Sequence, residues 1–374
     1  MKLDFRSYII AALLLVTGLY LYNTSLAFYI DDAGVYAFLS KRMVETNDFL
    51  NLYLDATDWL DKPHFPFWVG ALFFKLFGVS SFAYLLPLVI ATLLGLLYTF
   101  RFAQLYYNDE TAWLSVFVLG TAQYVFMATT EGRIEPYLML FIMASLFHFS
   151  KALRHNHLSD YIFASLFVAL GVMTKGILII IPIFGAIGGH ILLKEKSLKP
   201  FFKWQWLLVL FFMFLFITPE LYALYVQFDS QPEKIVFDRQ GVSGIQWFLW
   251  DSQFTRFINA GPVTRSQGDY SFFLHTLIWA FSPWSRAMVE FSAVKGPKKE
   301  PKQWLSKGPE RGQTRPRPTP RASISFPFHF FPNRRPKIYL LPFRVKVQAC
   351  TIKAESAHTS ACSEQHLHLT HERF

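Results

Sequence analysis

The chain is built from long uncharged runs separated by short charged clusters. Crossing the hydrocarbon core of a bilayer as a helix takes about 20 mostly apolar residues. Eight stretches approach that requirement: residues 8–29, 82–100, 112–130, 136–150, 161–174, 177–193, 205–219 and 272–289. The breaks at 131–135 and 175–176 are so short that they predict tight hairpins between neighbouring spans. Residues 30–81 are of another kind. KRMVETNDFL and PHFPFWVGALFFKLFGVSSF have the look of helices lying in the membrane interface, with Trp59, Phe65, Phe67, Trp68, Phe73 and Phe74 available at headgroup depth. No internal repeat and no inverted pair of broken helices is visible in the sequence, which weakens a transporter reading.

Composition agrees with the pattern. Of 374 residues, 53% are hydrophobic and only 17% charged, against roughly a quarter charged in a soluble domain. A plain soluble globule is excluded, and the expected fold class is an all-α polytopic membrane protein. The formal charge of +10 divides unevenly along the chain. Residues 1–290 carry 20 Lys and Arg against 21 Asp and Glu, whereas residues 291–374 carry 16 against 5. This gives two parts, a membrane region over 1–290 and a basic tail rich in Pro and Arg over 291–374. Both cysteines, Cys350 and Cys362, fall in the tail, so the membrane region uses neither a disulfide framework nor a thiol-based metal site.

Orientation follows from the basic residues of the short loops. With Lys2 and Arg6 in the cytoplasm, the cytoplasmic connections contain Arg101, then Lys151 and Arg154, then Lys194, Lys196, Lys199 and Lys203. The segments 30–81, 131–135, 175–176 and 220–271 then share the external face. The first run has span length and no small-residue cleavage motif after it, so it is expected to be a span, not a cleaved signal peptide.

That topology gathers Asp31, Asp32, Asp61, Lys62, His64, Glu131, Arg133, Glu135, Lys175 and Glu220 on one side. Ionisable groups at span ends are costly unless they face protein or water. Carboxylates can take a proton from a nucleophile or hold a divalent cation, and Lys and Arg can neutralise a phosphate leaving group. The combination suits transfer from a phosphate-linked donor.

Four motifs in order carry a family resemblance: Asp31-Asp-Ala-Gly-Val-Tyr36, Asp61-Lys-Pro-His64, Glu131-Gly-Arg-Ile-Glu-Pro-Tyr137 and Met173-Thr-Lys-Gly176. Together, over roughly residues 8–285, they resemble the family 39 glycosyltransferases, the group of protein mannosyltransferases and lipid A aminoarabinose transferases. The resemblance implies a GT-C-like transmembrane helix bundle in the cell (inner) membrane. It also implies a polyprenyl-phosphate-linked sugar donor, a lipid, glycan or protein acceptor, and an active site on the non-cytoplasmic face. Membrane lipids are expected partners and nucleic acid is not. By this resemblance the catalytic carboxylate is Asp32, counted back from Tyr36, with Asp31 beside it as the alternative match to an acidic pair. Lys62 corresponds to a lysine that contacts the donor phosphate, although Asp61 and His64 depart from the family's Glu-Lys-Pro-Pro. Glu131, Arg133 and Glu135 resemble a charged hairpin lining the same cavity, and Lys175 matches a Thr-Lys-Gly lysine. Tyr36 and His64 complete the expected substrate-binding set. A divalent cation among Asp31, Asp32 and Glu135 is an open option.

Each residue also has a plainer reading. Asp31 and Asp32 could be a solvated helix cap, Lys62 and Lys175 interfacial lysines, and Arg133 with Glu135 an ion pair closing a hairpin. His64 has no second histidine at ligand spacing, and Glu220 after Pro219 could simply end a helix. From a different functional class, a transporter or flippase of a lipid-linked anion would also need cations at membrane depth. The tail breaks with everything before it, and three origins fit: a basic cytoplasmic tail beside anionic lipid, a nucleic-acid-binding arm without a recognisable module, or a truncated or frame-shifted gene. The abrupt change of composition favours the last, with the break between about 286 and 325. On that reading the chain is a remnant that could be inactive.

Overall fold

The computed structural model describes residues 5–26, 31–54, 57–195, 199–257 and 271–285. The expected tail, 291–374, and the last part of the expected eighth span lie outside the described residues. The described chain is a helical bundle. α1 (Phe5–Asn23) is followed by two helices outside the long spans, α2 (Asp31–Thr46) and α3 (Phe65–Phe77), with a two-residue hairpin between them, β1 (Tyr53–Leu54) and β2 (Thr57–Asp58). The bundle continues with α4 (Ser81–Tyr106), the bent pair α5 (Asp109–Gly120) and α6 (Gln123–Thr130), α7 (Glu135–His155), α8 (Leu158–Lys175), α9 (Ile180–His190) and α10 (Gln205–Leu224). A second small hairpin, β3 (Ile235–Val236) with β4 (Arg239–Gln240), precedes the short helices α11 (Gly244–Gln246) and α12 (Ser252–Phe257), and α13 spans Phe272–Ala280.

Among the described residues five helices are long and apolar enough to cross a membrane, and a sixth span is made if α5 and α6, bent by 55°, count as one. This is fewer than the eight runs of the sequence, for two physical reasons. Residues 177–193 are apolar but only 17 long, which at 1.5 Å per residue gives about 25 Å. Residues 272–289 yield only the nine-residue α13 among the described residues. The 177–193 segment nonetheless carries the chain back across the bundle: Lys175, ending α8, and Glu220, late in α10, line the same cavity.

Capping explains where the helices begin and stop. Ser80 Oγ accepts from Ala83 N at 3.2 Å to start α4, and Asn108 Oδ1 accepts from Thr111 N at 2.9 Å to start α5. α7 ends on Asn156 in a left-handed conformation, φ 56°, and α8 on Gly176, φ 103°, a position that suits glycine. α2 begins about ten residues earlier than the interfacial helix expected at 41–50, which puts Asp31 and Asp32 in its first turn, where the helix dipole favours carboxylates.

Two apolar clusters hold the bundle. One joins α2, α3, α4 and α7 through Tyr36, Leu39, Phe67, Leu85 and Phe141. The other joins α7 through α10 to the segment after α10 through Phe149, Val168, Ile183, Phe228 and Trp247. The outer faces of α1 and α10 stay apolar and exposed, as at Leu14, Leu15, Leu207, Phe211 and Phe214. Helices apolar on their outer face belong in lipid, and the protein is an integral, multi-pass membrane bundle.

Candidate active site

At one end of the bundle the start of α2, the turn before α3, the hairpin between α6 and α7, and the end of α8 converge. Tyr36, one turn into α2, is 4% exposed and packs against Trp59 and Phe67. Burial raises the pKa of its hydroxyl far above the ordinary tyrosine range, and the carboxylates of Asp32, Asp61 and Glu135 push it further the same way. Those three acids therefore act together on one phenol that stays protonated. Asp32 itself is exposed. The side chain of Asp31 lies outside the described residues.

The Lys62 ammonium pairs with the neighbouring Asp61 carboxylate. Lys175 Nζ lies 2.7 Å from Glu135 Oε1, joining the end of α8 to the start of α7. Arg133 Nε donates to Glu131 Oε2 at 2.7 Å. The expected Arg133–Glu135 pair thus does not form as a direct contact: Gly132, at φ 79°, folds Arg133 back on Glu131, and Glu135 is taken by Lys175. The Glu131 hydrogen bond raises the Arg133 pKa against the opposing effect of burial, so the guanidinium is cationic at any working pH.

Beside these groups lies a cavity of about 180 Å³ lined by Asp61, Lys62, Lys175, Glu220, Trp247 and Gln253, among others. Two cations and two acids from three chain segments meet on its wall. Sequence reasoning missed its far side. Gln253 Nε2 donates to the Lys175 carbonyl at 3.3 Å and to Ser252 Oγ at 3.1 Å, and Trp247 and Phe248 close the wall. The aromatic stretch Trp247–Trp250, on the expected external segment, was the available signal.

Two expectations need correction. His64, expected among the substrate-binding residues, is wholly buried: its Nδ1 lies 2.9 Å from Glu220 Oε1 and its Nε2 3.0 Å from the Leu50 carbonyl. With both ring nitrogens engaged inside the protein it braces the turn. Glu220 does not end a helix. α10 runs past it to Leu224 and on through a π-helical turn to Asp229. The Thr218 hydroxyl donates to the Phe214 carbonyl at 3.1 Å.

Among the described residues no three His, Cys, Asp or Glu side chains come together as metal ligands. Glu135 is engaged by Lys175.

Residues 61–222 match the family model for dolichyl-phosphate-mannose-protein mannosyltransferase, a stretch that begins at Asp61 and includes Lys62, Lys175 and Glu220. The undecaprenyl phosphate-alpha-4-amino-4-deoxy-L-arabinose arabinosyl transferase of Serratia proteamaculans is 22% identical over 271 residues, 71% of this chain and 45% of that protein. The Pseudomonas aeruginosa protein of the same name is 26% identical over 266 residues, 69% of this chain and 45% of its own length. The chain spans less than half the length of these relatives. The crystal structure of ArnT from Cupriavidus metallidurans bound to undecaprenyl phosphate superposes with a TM-score of 0.60 at 18% identity, covering 78% of this chain and 51% of that one. The membrane part of this chain is therefore related in sequence to these transferases, and its bundle has the GT-C fold of ArnT.

Proposed function

We propose that this chain is a membrane glycosyltransferase that takes a sugar from a polyprenyl-phosphate-linked donor and passes it to an acceptor. One observation carries the reading: Lys62 and Lys175 line a single cavity with Asp61, while Glu135 pairs with Lys175, and Asp32, Asp61 and Glu135 act together on Tyr36. Such a site can neutralise a departing phosphate and accept a proton. The names of the relatives, undecaprenyl-phosphate arabinosyl and dolichyl-phosphate mannosyl transferases, support the donor class.

In this mechanism Asp32 takes the proton of the acceptor as it attacks the anomeric carbon. The bond to the phosphate breaks with inversion, and Lys62 and Lys175 receive the charge that develops on the leaving phosphate. Tyr36, held protonated near Asp32, keeps a neutral donor beside the base. The bundle contributes positioning and a partly dehydrated pocket. No step is routed through a metal ion; a cation recruited by Asp31 and Asp32 would reveal itself as activity lost to a chelator and restored by one divalent ion. The basic residues of the opposite loops support a site on the non-cytoplasmic face.

A carrier of a lipid-linked anion would hold its cations near mid-membrane on interrupted helices. Here Lys175 ends α8 and Lys62 sits in the turn before α3, which favours transfer over transport. The test is an assay of the full chain with a panel of polyprenyl-phosphate sugars, beside its Asp32→Asn variant. Transfer by the parent and not by the variant is expected. A parent chain that neither binds nor consumes any donor overturns the reading and leaves the inactive-remnant alternative.

A further inference from the structure

We infer a second lipid site, built between α1, α4 and α5 at the opposite end of the bundle from the candidate active site. A cavity of about 590 Å³ opens there. α4 contributes Leu93, Leu96, Leu97, Phe100, Arg101 and Gln104, spaced so that they share one face of the helix. From Leu93 to Gln104 the face runs about 16 Å. α1 contributes the opposite wall, and α1 is the least embedded of the spans, with 11% of its apolar window buried.

The chemistry of the walls selects the occupant. The Thr17 hydroxyl donates to the Leu13 carbonyl at 2.8 Å and the Tyr20 hydroxyl to the Gly120 carbonyl at 3.4 Å. Polar atoms along the groove are thus spent within the protein, and water would find few partners there. The charge is confined to one end. There Gln104 Nε2 donates to Asp109 Oδ1 at 2.8 Å and Arg6 lies 4.0 Å from the same carboxylate, whereas Arg101 makes no ion pair with any described residue. An apolar trough ending in a guanidinium that is unpaired among the described residues fits one acyl chain of a phospholipid, with its phosphodiester on Arg101.

The donor itself does not fit this role. Tyr84, near the start of α4, reaches the site hairpin through a 3.1 Å hydrogen bond from its hydroxyl to the Gly132 carbonyl. Arg101 is 17 residues further along α4, about 25 Å away. A carrier whose phosphate sits against Lys62 cannot also place it on Arg101. The occupant is therefore a phospholipid of the opposite leaflet, wedged where α1 meets the bundle.

The test uses the full chain in nanodiscs containing phosphatidylglycerol with a photoreactive acyl chain, followed by mapping of the labelled peptides. Labelling of α1 and of α4 near Leu97 is expected, reduced about tenfold in Arg101→Ala, kept in Arg101→Lys, and blocked in Leu97→Trp, which fills the trough. Excess undecaprenyl phosphate is expected to leave it unchanged. Equal labelling in the parent, Arg101→Ala and Leu97→Trp overturns the inference, as does displacement of the label by undecaprenyl phosphate.

Discussion

The Glu220 carboxylate on α10 receives the backbone N–H of His64 at 3.0 Å and lies 2.9 Å from its ring Nδ1, with both side chains fully buried. Two residues 156 positions apart in sequence are thereby fused, and the turn carrying Lys62 is fixed to a membrane helix. Truncating one partner leaves the other buried and unpaired, which costs about 3–5 kcal/mol. Glu220→Ala and His64→Ala should each lower the unfolding midpoint strongly, and the double variant should lose much less than the two together. A strictly additive cycle would show that the pair is no unit.

Lys62 and Lys175 share the cavity but differ in their other bonds. Lys62 is held by Asp61 on its own turn, whereas Lys175 ties two helices through a pair with Glu135 that is partly open to solvent. Removing Lys62 should mainly weaken donor phosphate stabilisation, a loss of about 100-fold or more in transfer. Lys175→Met should combine a similar loss with only a small stability change, about 0–1 kcal/mol, since partly exposed pairs contribute little. Parallel measurement of turnover and thermal unfolding separates the two effects.

Asp32→Asn removes the proposed base and should cut turnover by about 10²–10⁴, with the fold intact because Asp32 is exposed. Tyr36 supplies the companion test on pH. Its pKa is raised by burial and by Asp32, Asp61 and Glu135, and the protonated phenol is its neutral form. A raised pKa therefore keeps it a donor as pH climbs past about 10, the ordinary tyrosine value. No alkaline loss of activity below that point should belong to Tyr36, so Tyr36→Phe should lower the rate without moving the limbs of a pH–rate profile.

Much of this was legible in the sequence because a bilayer enforces it. Span length and loop charge are strong signals, and by themselves they bring Asp32, Lys62, Glu135 and Lys175 to one end. Pairing was not legible. Whether Arg133 meets Glu131 or Glu135 depends on the left-handed turn at Gly132, and whether His64 faces the cavity or the protein depends on a carboxylate far along the chain. The cavity's far wall, from Trp247 to Gln253, rests on short helical turns with no periodicity long enough to read.

Gly132 gives the sharpest test of the hairpin, since it carries no chemistry of its own. It lies at φ 79°, and a Cβ there would come 3.0 Å from the Tyr84 ring, 3.1 Å from Ala33 Cβ and 3.3 Å from Leu85 Cδ2. A left-handed conformation costs a non-glycine residue of order 1–3 kcal/mol, and the crowding adds to it. Ala33 follows Asp32 directly, so any relief pushes α2 and the hairpin apart at the point where Tyr36, Asp32 and Glu135 meet. Gly132→Ala should therefore reduce both stability and turnover while every charged side chain remains. Ala33→Gly in the same background removes one of the three contacts and should recover part of the turnover. If Gly132→Ala transfers sugar at the parent rate, the spacing between α2 and the hairpin has no bearing on the reaction.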